Sequence, residues 1–322
     1  MKALIFNQFG GPDVLHYAEI PDPVVGEEQL LVRMKAIGLN FADVYRRKGN
    51  YHLAGQPPYI LGYEGAGVVE SVPAHVTHIQ VGDRVAFADV PFANAELVAL
   101  PLDRAIPLPA DISFEQAASV LLQGMTAHYL VNDSYPVKAG DDVLVHAAAG
   151  GVGQILIQLC KRKGANVIGL TSSQAKKQAA LEAGADAVFL YQDDWVQQTI
   201  QWTQGNKGVN VAYDSVGSTL MDSFAAVRIA GTVVFYGMAG GDPAPVDPRM
   251  LMDTSKTLTG GDLWNHVTSL DNRIERAQDL FAALRDGSLR MEAIQTFDLK
   301  DGARAHQFLE SRQSIGKILL IP

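Results

Sequence analysis

The strongest chemical signal in this sequence is a glycine-rich stretch at residues 146–153, which reads His-Ala-Ala-Ala-Gly-Gly-Val-Gly. It follows a strand-like run and opens a helix-like one, which is the context of a dinucleotide-binding turn. Ala148, Gly150 and Gly153 occupy the three glycine positions of that pattern. The N–H groups at the start of the helix would bind pyrophosphate oxygens. The alternative is a turn that binds no ligand. The cofactor-binding residues predicted here are Ala149, Gly150, Gly151, Val152 and Gly153.

The end of the next strand bears on whether the nucleotide is NAD or NADP. An NAD site usually carries Asp or Glu about 20 residues after the glycines. Here the strand ends in residues 169–173, Gly-Leu-Thr-Ser-Ser, without a carboxylate, and Lys176 follows. Hydroxyls and a cation suit the 2′-phosphate of NADP(H), although Ser173 could instead cap a helix beside a solvated Lys176. The sequence therefore predicts NADPH, held by Thr171, Ser172, Ser173 and Lys176.

Two later strand ends carry residues that fit the same cofactor. Residues 213–217 end the fourth strand of this region, and residues 235–240 end the fifth. In open α/β sheets, ligands bind at the carboxyl ends of the strands. These segments are therefore expected to flank the nicotinamide half, with a helix-capping role left open for Asp214. The candidates are Ser215, Val216, Tyr236, Gly237 and Met238.

The elements that must position these residues alternate between strand and helix after residue 140. Apolar strand-like runs are separated by helix-like stretches such as 152–163 and 219–229. Regular alternation of this kind predicts a doubly wound parallel sheet with helices on both faces. The predicted fold class of this region is therefore α/β, of the Rossmann type.

The two ends of the chain show a different residue pattern. The first 120 or so residues contain short strand-like runs between turns rich in Pro and Gly, which is typical of a β-rich unit. The chain ends in a strand-like run, Lys317–Ile321, which must pair with another strand. We expect it to return to the N-terminal unit. The predicted architecture is a β-rich domain, residues 1–123 completed by 266–322, with a nucleotide-binding domain, 124–265, inserted.

Composition excludes several classes of function. The chain has 322 residues, which suits two domains, and a net charge of −9, which disfavours binding to nucleic acid. Its single cysteine, Cys160, excludes an internal disulfide and any zinc site built from several cysteines. Without an apolar run of about 18 residues, no membrane span is predicted. A cytoplasmic protein is expected.

Motifs along nearly the whole chain resemble those of one family. The segments that carry the resemblance are residues 10–15, 40–49, 140–161, 310–312 and 319–322. They are similar to the zinc-independent, zeta-crystallin-like quinone oxidoreductases of the medium-chain dehydrogenase/reductase superfamily. The resemblance implies that the β-rich domain is GroES-like and catalytic, and that the inserted domain binds NADPH.

The resemblance also implies that no metal is bound. Zinc-dependent relatives carry a catalytic Cys where this chain has Asn40, and Gly-His-Glu where it has Gly62, Tyr63 and Glu64. The four-cysteine lobe of their structural zinc is missing from the sequence. Without a Lewis acid, the substrate must accept hydride by itself.

Family positions that line the substrate pocket correspond to Asn40, Tyr45 and Tyr51. Either tyrosine could give a hydrogen bond or a proton to the reduced oxygen, or could be an aromatic wall. Asn40 would orient the substrate or hold a local turn. The family also implies that Tyr191, Lys176 and Arg312 contact the adenosine phosphate region of NADPH. Gln123 and Thr126 are expected against the nicotinamide, with a plain helical hydroxyl as the alternative for Thr126.

The function that the resemblance implies is NADPH-dependent, metal-independent reduction of a quinone. The alternative is reduction of an α,β-unsaturated carbonyl, namely an enal, an enone or an enoyl thioester. A non-enzymatic role, as a crystallin-like NADPH-binding or RNA-binding protein, is disfavoured by the acidic charge. Family members commonly form homodimers, and analogy places that contact at Thr257–Gly261.

Overall fold

The computed structural model describes residues 1–291, 293–311 and 313–322. The chain divides into two compact units. The first comprises Met1–Leu122, Val267–Ala282 and Met291–Pro322, and the second comprises Gln123–His266 and Ala283–Arg290. Residues 283–290, placed in the β-rich domain from the sequence, thus group with the second unit. There the N–H of Arg290 donates to Oε1 of Gln158 at 2.7 Å, and the Gln158 amide donates back to the Arg290 carbonyl.

The strands, in chain order, are β1 (Lys2–Phe6), β2 (His16–Glu19), β3 (Gln29–Leu39), β4 (Tyr59–Ile60), β5 (Glu64–Ser71), β6 (Arg84–Ala88), β7 (Leu97–Pro101), β8 (Ile106–Pro107), β9 (Asp142–Val145), β10 (Asn166–Thr171), β11 (Ala187–Leu190), β12 (Val209–Asp214), β13 (Val227–Phe235), β14 (Thr257–Gly260), β15 (Ile294–Asp298) and β16 (Lys317–Ile321). The α-helices are α1 (Phe41–Arg47), α2 (Phe114–Tyr129), α3 (Gly151–Arg162), α4 (Gln174–Glu182), α5 (Trp195–Trp202), α6 (Leu220–Ala226), α7 (Pro248–Thr254), α8 (Leu263–His266), α9 (Leu270–Arg285) and α10 (Gly302–Glu310).

The second unit is built on a parallel sheet with the strand order β11-β10-β9-β12-β13-β14. Its central strands are apolar and buried, because helices cover a parallel sheet on both faces. The order reverses between β9 and β12, and such a reversal is where doubly wound sheets bind their ligands. The predicted Rossmann-type fold is confirmed.

One predicted element of this unit is wrong. The helix expected over 219–229 ends at Ala226, and β13 begins at Val227. Val227 pairs with Val209, after which the register shifts before Val211 meets Thr232. Val227 and Ile229 are β-branched, and this pairing with β12 outweighs the helical periodicity of the preceding residues.

The first unit contains a sheet with the order β15-β16-β3-β5-β6-β8, with β7 also paired to β3, and a smaller sheet β2-β1-β4. The terminal strand β16 pairs antiparallel with β3, where Ile318 faces Leu39 and Leu320 faces Ile37. The predicted return of the chain's end to the N-terminal unit is therefore confirmed. Buried side chains of β3, β6 and β16 form the core beneath it.

Helix α1 follows β3 and is bound to α10 by hydrogen bonds and ion pairs. Arg47 of α1 is buried, donates to the Gly10 carbonyl at 3.1 Å and contacts Nδ1 of His306 at 3.0 Å. It also forms an ion pair with Glu310, which Lys48 joins at 2.6 Å. These contacts fix the helix that follows Asn40. Within the described part of the chain, no helix has the length and apolar character needed to cross a membrane.

Candidate active site

The glycine-rich turn lies between β9 and α3, at the carboxyl edge of the parallel sheet. Gly150 is the N-cap of α3 in an extended conformation, and its N–H bonds to the Ala147 carbonyl at 2.8 Å. A methyl group on Gly153 would meet the Ala147 carbonyl oxygen and lie 2.9 Å from the Ala148 Cα. Gly153 therefore permits the close packing of helix on strand. The first turn of α3 contains no acidic residue, so its free N–H groups suit an anion such as a pyrophosphate.

The hydroxyl-rich end of β10 lies at the same edge. Ser173 is the N-cap of α4, and its Oγ accepts a long hydrogen bond, 3.4 Å, from the N–H of Lys176. Thr171 is buried and donates to the Ser173 carbonyl, whereas Ser172 is exposed. The first turn of α4 has no acidic residue. This donor set fits a 2′-phosphate and offers no carboxylate to a free ribose hydroxyl.

The turns after β12 and β13 are bonded to each other. The N–H of Ala239 donates to the Ser215 carbonyl at 3.0 Å, and that of Gly240 to the Val216 carbonyl at 2.8 Å. Tyr236 follows β13, and its N–H donates to the Asp214 carbonyl. Ser215, Val216, Tyr236, Gly237 and Met238 are all partly buried on these two turns. They share the carboxyl edge with the glycine-rich turn because the strands are parallel.

Asp214 does not present a free carboxylate. Its Oδ1 accepts the N–H groups of Val216 at 2.8 Å and Gly217 at 3.0 Å. Its Oδ2 accepts the hydroxyls of Thr219 and Ser223. Burial alone would raise the pKa of Asp214, but His146, Ser223 and the two backbone N–H groups together lower it. Asp214 is thus an anion that holds its own turn.

Tyr191 and Arg312 were both expected at the adenosine phosphate. The hydroxyl of Tyr191 accepts the N–H of Ala147 at 2.9 Å, which directs it toward the glycine-rich turn. Arg312 lies outside the described residues. On α2, the buried amide of Gln123 lies against Gly151, where a methyl group would come within 2.6 Å of its Cδ. Thr126 is partly buried one turn further along α2.

In the first unit, Asn40 lies between β3 and α1 and is the N-cap of the helix. Its N–H donates to Oδ2 of Asp43 at 3.0 Å, which closes a capping interaction at the start of the helix. Its amide nitrogen donates to Oε2 of Glu64 at 3.0 Å and to the Gly38 carbonyl at 3.3 Å. Its amide oxygen accepts from Lys317 at 3.0 Å. Both amide N–H groups of Asn40 are therefore directed into the protein.

A buried ion pair that the sequence analysis missed holds Asn40 in this orientation. Lys317 of β16 and Glu64 of β5 are both fully buried, with Nζ and Oε2 2.6 Å apart. The other carboxylate oxygen of Glu64 accepts the N–H of Leu122 at 2.7 Å. The available signal was a lysine opening an otherwise apolar strand, KILLI. An ammonium at this place also disfavours a metal cation beside Asn40.

Two tyrosines of the first unit, Tyr51 and Tyr63, contact a second buried cation. The guanidinium of Arg46 lies 3.6 Å from the ring centre of Tyr63 and 4.9 Å from that of Tyr51, and it is 3.6 Å from Asp43. These distances are those of cation–π contacts. Burial raises the pKa of the Tyr63 phenol, and Arg46 opposes that shift. Tyr51, which follows α1 in the chain, is thereby held against Arg46, and Tyr45 lies within the helix, half-buried.

The described residues contain no cluster of three or more His, Cys, Asp or Glu side chains that could hold a metal ion. The resemblance places Asn40 and Tyr63 at metal-ligand positions of the zinc-dependent relatives, and in this structure they contact Lys317 and Arg46 respectively.

Several known proteins are similar to this chain over its whole length. Residues 26–131 match the family model of the alcohol dehydrogenase GroES-like domain, and residues 151–282 match that of the zinc-binding dehydrogenases. The chain is 36% identical to a 2-haloacrylate reductase of a Burkholderia species, covering 100% of this chain and 99% of the relative. It is 38% identical to quinone oxidoreductase 1 of Escherichia coli, covering 98% of each.

A solved structure of the quinone oxidoreductase of Escherichia coli complexed with NADPH matches the fold with a TM-score of 0.96, at 38% identity and with both chains fully covered. The likeness therefore includes both units rather than the nucleotide-binding sheet alone.

Proposed function

The chain belongs to the quinone oxidoreductase family of the medium-chain dehydrogenase/reductase superfamily, and from this we propose that it reduces a quinone with NADPH and without a metal. Relatives named quinone oxidoreductase, 38–39% identical over 98% of the chain, support this proposal. A solved relative holds NADPH. The chain is accordingly an oxidoreductase. That its substrate is a quinone is the proposal.

The observation that carries the choice of cofactor is the end of β10. Ser172 and Ser173 offer hydroxyls where an NAD site would have a carboxylate, whereas Thr171 is buried and donates its hydroxyl to the Ser173 carbonyl. Lys176 adds a cation in the first turn of α4. Residues 149–153 would hold the pyrophosphate at the N-terminus of α3. When bound, NADPH supplies the hydride. Gln123, Thr126 and the turns after β12 and β13 are proposed to position its nicotinamide half.

The chemistry of the proposed substrate suits a protein without a Lewis acid. Hydride addition to a quinone places negative charge on an oxygen, and the ring becomes aromatic. The phenol of Tyr45 or Tyr51 would donate a hydrogen bond or a proton to that oxygen. Asn40 has both amide N–H groups engaged by Glu64 and Gly38, which favours its turn-holding role.

One observation favours a second substrate class. The 2-haloacrylate reductase of a Burkholderia species is 36% identical to this chain over its full length. A haloacrylate is an α,β-unsaturated acid, which accepts hydride at one carbon and needs a proton at the neighbouring one. Reduction of an activated carbon–carbon double bond is therefore the alternative activity.

The experiment that tests the activity is NADPH oxidation by purified protein treated with a chelator. Parallel reactions contain 1,4-benzoquinone, 9,10-phenanthrenequinone, 2-hexenal, crotonyl-CoA or 2-chloroacrylate, each repeated with NADH. Turnover of the quinones with a preference for NADPH would support the main proposal. Turnover restricted to the activated double bonds would replace the quinone with the second class. Activity that requires added zinc would contradict the metal-free mechanism.

We further propose a homodimer joined through the exposed edge strand β14 of the parallel sheet. The support is its position at the end of the strand order, because an edge strand can pair with a strand of a second molecule. Light scattering that gives the mass of a monomer would contradict this.

A further inference from the structure

A segment without helix or strand, residues 48–58, joins α1 to β4 in the first unit and carries Tyr51. Its start is fixed by the end of the helix, because the N–H of Asn50 donates to the Tyr45 carbonyl at 2.9 Å. Tyr51 follows directly and is half-buried. The place of its phenol therefore depends on the contacts that hold the chain from residue 51 onward.

Arg46, in the last turn of α1, holds this segment at two points. Its Nε donates to the carbonyl of His52 at 3.1 Å, and its guanidinium carbon lies 4.9 Å from the centre of the Tyr51 ring. The first contact fixes the backbone directly after Tyr51, and the second is a cation–π contact with the Tyr51 ring itself. Arg46 is buried, so its charge is little screened by salt and water.

Tyr63 supports Arg46 and the segment together. The guanidinium carbon of Arg46 lies 3.6 Å from the centre of the Tyr63 ring, and the Tyr63 hydroxyl accepts the N–H of Ala54 at 3.2 Å. A planar guanidinium can stack on a ring and still donate hydrogen bonds in its own plane, which the compact ammonium of a lysine cannot do. The ring of Tyr63 thus carries Arg46, and its hydroxyl binds the segment three residues beyond Tyr51.

Asp43 supplies the countercharge that fixes Arg46 from the helix side. The two residues are three apart on α1 and share a face, with Nη1 of Arg46 3.6 Å from Oδ1 of Asp43. The other carboxylate oxygen of Asp43 accepts the N–H of Asn40. Burial raises the pKa of Asp43, and the charge of Arg46 is the largest effect that opposes this shift. Arg46 therefore has a fixed place in the fold, to which its contacts bind Tyr51.

We propose that Arg46 is a positioning residue that sets the place of the Tyr51 hydroxyl, and that Tyr51 rather than Tyr45 donates to the reduced oxygen of the substrate. Arg46 acts through Tyr51 and the segment that carries it. The inference rests on the proposed function, in which both tyrosines are candidate donors. A donor in a segment without regular structure needs such anchors, because donation to developing charge requires a fixed geometry.

This role predicts that the effects of two substitutions depend on each other. If Arg46 acts through the hydroxyl of Tyr51, its loss lowers activity only while that hydroxyl is present. Tyr51→Phe keeps the ring and its contact with Arg46 but leaves no donor to be misplaced. A merely structural role of Arg46 would lower activity by the same factor with or without the hydroxyl. A double-mutant cycle separates the two roles.

The first test measures kcat and KM for 9,10-phenanthrenequinone with NADPH in the parent protein, Arg46→Met, Tyr51→Phe and the double variant. We expect Arg46→Met to lower kcat/KM by about 10- to 100-fold in the parent protein, because a small displacement of a catalytic group has effects of this size. The loss should appear in kcat, since the hydrogen bond forms to charge that develops in the transition state. In Tyr51→Phe, the same substitution should cost less than about threefold.

Two further variants complete the cycle. Arg46→Lys keeps the positive charge without the planar fork and should recover part of the lost kcat. Arg84→Met is the matched control, because Arg84 also contacts a ring, that of Phe114 at 4.5 Å, and donates to backbone carbonyls. Its effect on kcat/KM should be the same with and without the Tyr51 hydroxyl. Thermal unfolding shows whether each variant is folded.

The second test needs no substrate. Hydrogen–deuterium exchange, read from overlapping peptides of residues 48–58, reports the protection of the Ala54 amide. We expect Arg46→Met and Tyr63→Leu each to speed this exchange about tenfold, the usual effect of losing one buried hydrogen bond, and Arg84→Met to leave it unchanged. If Arg46→Met does not fold, Tyr63→Leu replaces it in the kinetic cycle, because that variant keeps the pair of Arg46 with Asp43 and removes the ring beneath it.

Equal effects of Arg46→Met with and without the Tyr51 hydroxyl would overturn the proposal. Parental kcat in Arg46→Met, or parental exchange at Ala54, would overturn it as well. If the parent protein reduces only activated double bonds, the same cycle is measured with 2-hexenal. A parent protein that reduces none of these acceptors would refute the proposed function, and the exchange at Ala54 would then decide whether Arg46 anchors the segment.

Discussion

At the scale of single residues, buried cationic side chains hold the candidate site residues of the first unit in place. Lys317 holds the amide of Asn40, and Arg46 lies between the rings of Tyr63 and Tyr51. The family resemblance places Asn40 and Tyr63 at the positions where zinc-dependent relatives carry metal ligands. In this chain fixed side-chain cations, which cannot exchange, order the same positions. Tyr45 and Tyr51 are the tyrosines proposed to donate a hydrogen bond to a substrate oxygen.

A first prediction separates these two tyrosines. Phenylalanine at the position that donates to the substrate should lower kcat/KM by about 10- to 100-fold, since it removes a hydrogen bond formed to developing charge. The other substitution should cost only a few-fold. Steady-state kinetics of Tyr45→Phe and Tyr51→Phe measure this, with the exposed Tyr17→Phe as control. Equal and small effects of the two substitutions on kcat/KM would show that the rings only line the pocket and donate no hydrogen bond to the substrate.

A second prediction concerns the buried ion pair. Lys317→Met leaves the Glu64 carboxylate buried without its countercharge, which should lower the free energy of unfolding by about 3–5 kcal/mol. Urea denaturation measures the loss. The double variant Lys317→Met with Glu64→Gln should recover part of it, because the uncompensated charge is gone. Lys300→Met, which removes the exposed pair with Asp298, is the control and should change stability little. An equally small effect of Lys317→Met would contradict this account of the pair.

At the scale of elements, the parallel sheet assembles the cofactor residues. Each candidate segment follows a different strand, and parallel strands bring their carboxyl ends to one edge. At the turn between β9 and α3, the helix backbone approaches the Ala147 carbonyl and Ala148 directly. Side-chain volume at Gly153 is therefore excluded by backbone atoms, which cannot rotate away.

A third prediction follows for this junction. Gly153→Ala should force α3 away from β9, lowering stability by about 1–3 kcal/mol and weakening NADPH binding. Thermal unfolding and nucleotide titration measure the two effects. Gly26→Ala is the matched control, because an added methyl group there meets only the end of the flexible Gln29 side chain. A Gly153→Ala variant with parental affinity would show that the turn tolerates the shift.

At the scale of the whole molecule, two buried histidines make stability depend on pH. Burial, together with the nearby Arg47, lowers the pKa of His306 from 6.5 to about 3. His146 is shifted in the same direction. Below pH 6.5 these two histidines are protonated in the unfolded chain but stay neutral in the folded protein, so acid favours unfolding. The stability due to these rings is complete above about pH 6.5 and is lost as the pH falls toward the folded-state values.

A fourth prediction isolates His306. The free energy of unfolding should fall by about 1.4 kcal/mol per pH unit for this ring between roughly pH 6 and 4. His306→Asn offers an amide oxygen to Arg47 without a titrating group, so its profile should be shallower by that slope. Urea denaturation across this range tests it, with the exposed His16→Asn as control. Parallel profiles for the parent and His306→Asn would mean that His306 is protonated in the folded state.

Features that depend only on residues close together in the chain were determined by the sequence alone. The glycine-rich turn, the strand–helix alternation, and the missing carboxylate after residue 171 are local, because each depends on a short run of residue types. The Rossmann-type fold followed from these patterns, and the return of β16 followed from its strand-like run, which needed a partner strand. The helix predicted through Ile229 failed because pairing with β12 is not visible in the local periodicity.

Tertiary structure alone decided how the candidate residues are used. Asn40 meets Lys317 across 277 positions of sequence, and Glu64 meets it across 253. Tyr191 turns its hydroxyl to Ala147, 44 residues earlier. Spacing cannot reveal such partners, because burial leaves a charged or polar group only the partners that the folded chain brings to it. The residue types determined which chemical groups were present. The packing of the folded chain determined which of their atoms form hydrogen bonds and ion pairs within the protein.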